Sequence, residues 1–134
     1  MRKKLLQNLL LTLILSLLLT GFLYFIWFHT KQRGFEEGQA LTILFFFGDI
    51  FQNLILTIAT LPAFFLTNET FYNNRRARLL FYFSGPVLLT LYFILFVCNN
   101  AEDKISFLLS GLSFIAIHAF FYFRLLQHGT KNQI

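Results

Sequence analysis

Charged residues are scarce in this chain. Lys, Arg, Asp and Glu make up 13% of its 134 residues, about half the share of a soluble domain. Hydrophobic residues make up 57%, so a disordered chain and a conventional soluble enzyme are both excluded. Cysteine is nearly absent. Cys98 stands alone, which excludes a disulfide scaffold and the paired thiols of a membrane thiol oxidoreductase. The three histidines, His29, His118 and His128, fall at three different depths of the expected helices, so a bis-histidine haem finds no pair of ligands. Paired carboxylates, a phosphate loop and an acid-rich metal motif are missing as well. Ser113 and His118 are five apart on one expected helix and point to different sides, which defeats a serine-protease dyad. No catalytic residue, metal or cofactor is expected, and a lipid-modifying enzyme would lack a catalytic set.

What is present is long apolar sequence. Four runs, Leu5 to Phe28, Leu41 to Leu66, Leu79 to Val97 and Ile105 to Leu126, each hold 19 to 26 residues. About 20 residues in helical form cross about 30 Å of hydrocarbon. None of the runs has the polar face of a soluble bundle helix. Only Asp49 and Arg124 among the charged residues lie inside them. The expected fold is all-α: a single domain, residues 1–134, forming an integral membrane bundle of four transmembrane helices. The first run begins like a signal peptide but continues through Phe22 to Phe28, past the usual 7 to 15 apolar residues, and reads as an uncleaved anchor.

The basic residues orient the bundle. Arg2, Lys3, Lys4, Arg75, Arg76, Arg78, Arg124 and Lys131 fall on one side, against Lys31, Arg33 and Lys104 on the other. Eight against three puts both termini in the cytoplasm. The positive balance is thus a property of one face, and nucleic acid is not an expected partner. Trp27, Tyr72 and Tyr122 fall where aromatic side chains meet headgroups. A compact chain of this kind fits a bacterial cytoplasmic (inner) membrane.

The polar residues within the runs carry the functional question. Asp49, Gln52 and Asn53 stand at i, i+3 and i+4 and share a helix face. Entering from the outer side, Asp49 lies about 12 Å deep, Asn53 about 18 Å and His118 about 20 Å. Asn53 and His118 therefore match in depth, and a direct contact from Asp49 to His118 needs tilt or a bridging residue. Thr12, Ser16, Thr20 and Tyr24 form a second stripe on the first run. An ionisable group in lipid is expensive and turns toward protein or water. One reading makes Asp49, Gln52, Asn53 and His118 a polar pathway. The other makes them interhelical packing bonds, and it is preferred because no continuous chain of carboxylates accompanies Asp49.

Each run contains one glycine, Gly21, Gly48, Gly85 or Gly111, without a Gly-x-x-x-Gly pair. Pro62 and Pro86 remove the backbone bonds to Ile58 and Tyr82. The expected second loop, Thr67 to Arg78, offers Arg75, Arg76 and Arg78 as contacts for an anionic lipid or an acidic partner. Asn68-Glu69-Thr70 matches a glycosylation pattern, but on the side expected to be cytoplasmic.

These features lead to a non-enzymatic membrane interaction protein, such as an accessory subunit of a membrane complex or an immunity-type protective protein. Its expected partners are the lipid bilayer and another membrane protein or a second copy of itself. The alternative is a small oligomeric channel or proton-coupled carrier built on Asp49, Gln52, Asn53 and His118.

Overall fold

A computed structural model describes residues 1–30 and 35–131. Lys31 and Arg33 of the expected first loop lie outside the described residues. The chain is helical, and no strand occurs among the described residues. In order it forms α1 (Arg2–Thr30), α2 (Phe35–Ala59), a 3-10 segment (Leu61–Thr67), the short α3 (Glu69–Asn73), α4 (Arg75–Tyr92), a π turn (Phe93–Val97) and α5 (Ala101–Lys131). Four stretches are long and apolar enough to cross a bilayer: Arg2–Thr30, Gln39–Thr67, Arg75–Val97 and Ala101–Gln127. They coincide with the four runs, although the helices extend into the polar flanks.

The partition of side chains is inverted relative to a soluble protein. On α1 the buried face includes Thr12, Ser16, Thr20 and Tyr24, while Leu10, Ile14, Leu18 and Phe22 are exposed. The same holds on α2, where Asp49, Gln52 and Asn53 are buried and Phe47 and Phe51 are exposed. Polar side chains line part of the interior, where most find hydrogen-bond partners, and large apolar side chains cover the exterior. That arrangement suits a solvent that cannot hydrogen-bond.

Helix α1 packs on α2 and α5, and α4 packs on α2 and α5, while α1 and α4 do not meet. Thus α2 and α5 form the central pair. At the end where α1 begins and α5 finishes, Leu5, Ala63, Leu66, Tyr82, Tyr122 and Leu125 make an apolar cluster.

The glycines and prolines explain how the helices come together. Pro62 ends α2 instead of bending it: the chain continues as 3-10 turns, with Ala63 N–H bonded to the Thr60 carbonyl at 2.9 Å. Gly85 lies against the backbone at this break, and a Cβ there would fall 1.8 Å from the Ala59 carbonyl oxygen. Gly111 similarly admits Thr90, whose Cγ2 would be 2.5 Å from an added Cβ. Gly21 abuts the Phe46 ring, whereas Gly48 has open space beside it. Gly85 and Gly111 therefore mark helix approaches that a larger residue would obstruct.

The expected loop Thr67 to Arg78 is mostly ordered helix. The Asn68 side chain accepts a bond from Thr70 N–H at 3.0 Å and caps α3; Asn74 does the same for Arg76 N–H at the start of α4. Asn68 thus has a structural task independent of any modification. Tyr122 also differs from expectation. It is buried and accepts a bond from Arg78 instead of facing headgroups.

Candidate functional site: the Asp49 cleft

The i, i+3, i+4 spacing of Asp49, Gln52 and Asn53 places all three on the buried face of α2, turned toward α1 and α5. Ser16 Oγ of α1 donates to Asn53 Oδ1 at 2.5 Å. Asn53 Nδ2 in turn donates to Asp49 Oδ1 at 2.6 Å and approaches Ser110 Oγ of α5 at 3.2 Å. Ser110 Oγ also donates to Asp49 Oδ1. Gln52 Nε2 reaches the Phe107 carbonyl of α5 at 3.0 Å, and Tyr24 of α1 donates its hydroxyl proton to the Ser106 carbonyl at 2.9 Å. These bonds therefore tie α1, α2 and α5 together over about two turns of helix. At about 0.6 kcal/mol for an interhelical bond in a bilayer, the five cross-helix contacts contribute on the order of 3 kcal/mol.

One atom remains outside this account. Asp49 is 2% exposed, and its Oδ2 is buried without a hydrogen-bond partner. Asp49 also lines a cleft of about 250 Å³ with Tyr24, Gln52, Asp103, Ser106 and the apolar Leu44, Phe45 and Phe107. The exposed Leu44 and Gly48 lie at the cleft, so it opens on the outer surface of the bundle beside α2. Two acids and several hydrogen-bonding groups within apolar walls suit a positively charged or proton-donating group.

His118 stands apart from these residues. Its Nε2 is 3.0 Å from the Tyr82 carbonyl, the group that Pro86 deprives of its helical donor. A carbonyl can only accept, so the histidine carries a proton on Nε2. Its ring stacks on Tyr82 at 4.0 Å and lies near Phe83 and Phe114. Ser113 is also buried, but the Nε2 of His118 is committed to Tyr82. The expected four-residue group thus divides into an α1–α2–α5 network and an α4–α5 aromatic enclosure.

The three arginines divide too. Arg78 Nε donates to Tyr122 Oη at 3.1 Å and its Nη1 to the Tyr72 carbonyl at 3.0 Å, which joins α3, α4 and α5. Arg75 and Arg76 are exposed in the first turn of α4. Among the described residues, no group of three or more His, Cys, Asp or Glu side chains is placed to hold a metal ion.

Within the α1 stripe, Ser16 bonds Asn53, whereas the buried Thr20 hydroxyl has no hydrogen-bond partner. Ser110 of α5 supplies the remaining contacts to Asp49 and Asn53. Its role depends on the rotation of α5, for which the serine spacing Ser106, Ser110 and Ser113 on its buried face is the available signal. Comparison of the chain with protein families, curated proteins and solved structures yields no match, so the reading of this site rests on its own geometry.

Proposed function

We propose that this chain is a non-enzymatic interaction protein of the bacterial cytoplasmic membrane, with both termini cytoplasmic, acting as an accessory or immunity-type protein. The cleft receives a cationic or proton-donating side chain from a partner's membrane helix. The observation that carries this reading is the half-satisfied Asp49 carboxylate: Oδ1 is held by Asn53 and Ser110, while Oδ2 is buried and unpaired beside a cleft that opens laterally. An unpaired carboxylate oxygen in an apolar setting has much to gain from a charged donor. The bonds of Ser16, Asn53 and Ser110 meanwhile favour a rigid socket over a path for moving ions.

A designed leucine-rich transmembrane helix carrying one arginine at the depth of Asp49 provides the probe. Its association with the protein in liposomes, read by energy transfer, is expected to exceed that of the all-leucine helix by about 5- to 30-fold, corresponding to roughly 1–2 kcal/mol. Asp49→Asn and Gly48→Phe, which remove the charge and obstruct the cleft, should each abolish the difference. Equal association of the two helices with wild-type protein would refute the socket. The carrier reading uses the same unpaired oxygen, and proton flux into wild-type proteoliposomes that disappears in Asp49→Asn would establish it instead.

A further inference from the structure

A second site lies at the opposite end of the bundle from the Asp49 cleft. There α1 and α5 enclose a pocket of about 160 Å³ lined by Lys4, Gln7, Asn8, Leu11, Arg124 and Leu125. Its chemistry is the reverse of the cleft: two cations, two side-chain amides and no acid. We infer that this pocket binds the phosphate of an anionic lipid headgroup, held between Lys4 of α1 and Arg124 of α5.

The position of Arg124 is the first reason. It is one of two charged residues within the four apolar runs and belongs to the last turns before Leu126. It is exposed, and no acid lines the pocket beside it. An arginine below the membrane surface extends toward the headgroups, and Lys4 in the opening turns of α1 meets it there. The second reason is the pocket's composition. Arg presents a planar fork to phosphate oxygens and Lys adds a point charge, while the Gln7 and Asn8 amides supply neutral donors. Leu11 and Leu125 give the apolar wall needed by the glycerol and upper acyl carbons. The third is size: a recess of about 160 Å³ has room for a phosphate group. Basic pockets between membrane helices are a recurrent way of holding anionic lipids.

The inference rests on bilayer residence, which is tested separately by whether the protein remains in alkaline-washed membranes until detergent is added. The binding test uses purified full-length protein in nanodiscs of phosphatidylcholine with a minor fraction of phosphatidylglycerol. Co-purifying phosphatidylglycerol is counted per protein by mass spectrometry after transfer to mild detergent. Wild type is expected to retain about one anionic lipid. Arg124→Gln and Lys4→Gln should each lower retention at least fivefold, while the double variant Arg75→Gln/Arg76→Gln, which removes more charge from the same end, should retain it. Similar loss in that double variant would mean diffuse attraction and no pocket. Displacement of the lipid by millimolar inorganic phosphate would show a site for the free anion and overturn the lipid assignment. Unchanged helicity by circular dichroism in each variant separates loss of binding from loss of fold.

Discussion

Tyr82, Pro86 and His118 act as one unit. Pro86 leaves the Tyr82 carbonyl without its donor four residues later, and the His118 imidazole on the neighbouring helix supplies one. A proline kink that would expose a polar backbone group to hydrocarbon is instead a bond between helices. The dependence is testable as a cycle. His118→Phe should destabilise the bundle, but much less in a Pro86→Ala background, where the residue 86 N–H can satisfy the carbonyl again. The expected coupling is about 0.6–1.7 kcal/mol, read from unfolding in mixed micelles. Strict additivity of the two substitutions would show that the histidine contributes only its ring. The freed carbonyl was legible in the sequence, because proline dictates it. The identity of its new donor was not, since that depends on how α4 and α5 are rotated about their axes. Asp49 tells the same story: its helix face follows from spacing, but the choice of Ser110 as partner is a tertiary fact.

At the scale of elements, glycine placement decides which helices can approach. Gly85 allows α4 to lie on the broken end of α2, and the Ala59 carbonyl leaves no room for a methyl group there. Gly85→Ala should therefore cost at least 1–3 kcal/mol through displaced backbone. Gly48→Ala should be neutral or stabilising by about 0.5–1 kcal/mol, because its surroundings are open and alanine favours helix. Thermal unfolding in detergent compares them directly, and equal losses would contradict the close approach. The four runs were legible in the sequence because hydropathy and length are properties of a segment alone. The conversion of the end of the second run into 3-10 turns was foreshadowed only by Pro62, and the small helix α3 by nothing stronger than the capping residues Asn68 and Asn74.

The molecule as a whole buries many polar side chains beside its apolar core and covers its exterior with large apolar ones, with basic residues concentrated at the end where α1 begins and α5 ends. A fluorescent protein fused after Ile134 should be bright in a bacterial host, whereas alkaline phosphatase fused there should be inactive. The opposite pattern would reverse the proposed orientation. Cys98, just past the π turn that follows α4, is a poor reporter of sidedness. The residue is only 6% exposed, and burial together with Asp103 pushes its thiol above its ordinary value, partly opposed by Lys104. The thiolate fraction therefore remains small near neutrality, and labelling by an impermeant thiol reagent should accelerate as pH rises through the alkaline range.

The central position of α5 has a consequence for synthesis. Asp49 emerges on the second long helix, but Ser110, which shares its carboxylate, and the Phe107 carbonyl, which satisfies Gln52, belong to the last. A nascent chain that has delivered only the first three long helices lacks these partners for Asp49 and Gln52. Arrival of α5 supplies partners to Asp49 Oδ1 and Gln52 together and leaves Oδ2 as the one carboxylate oxygen still unpaired.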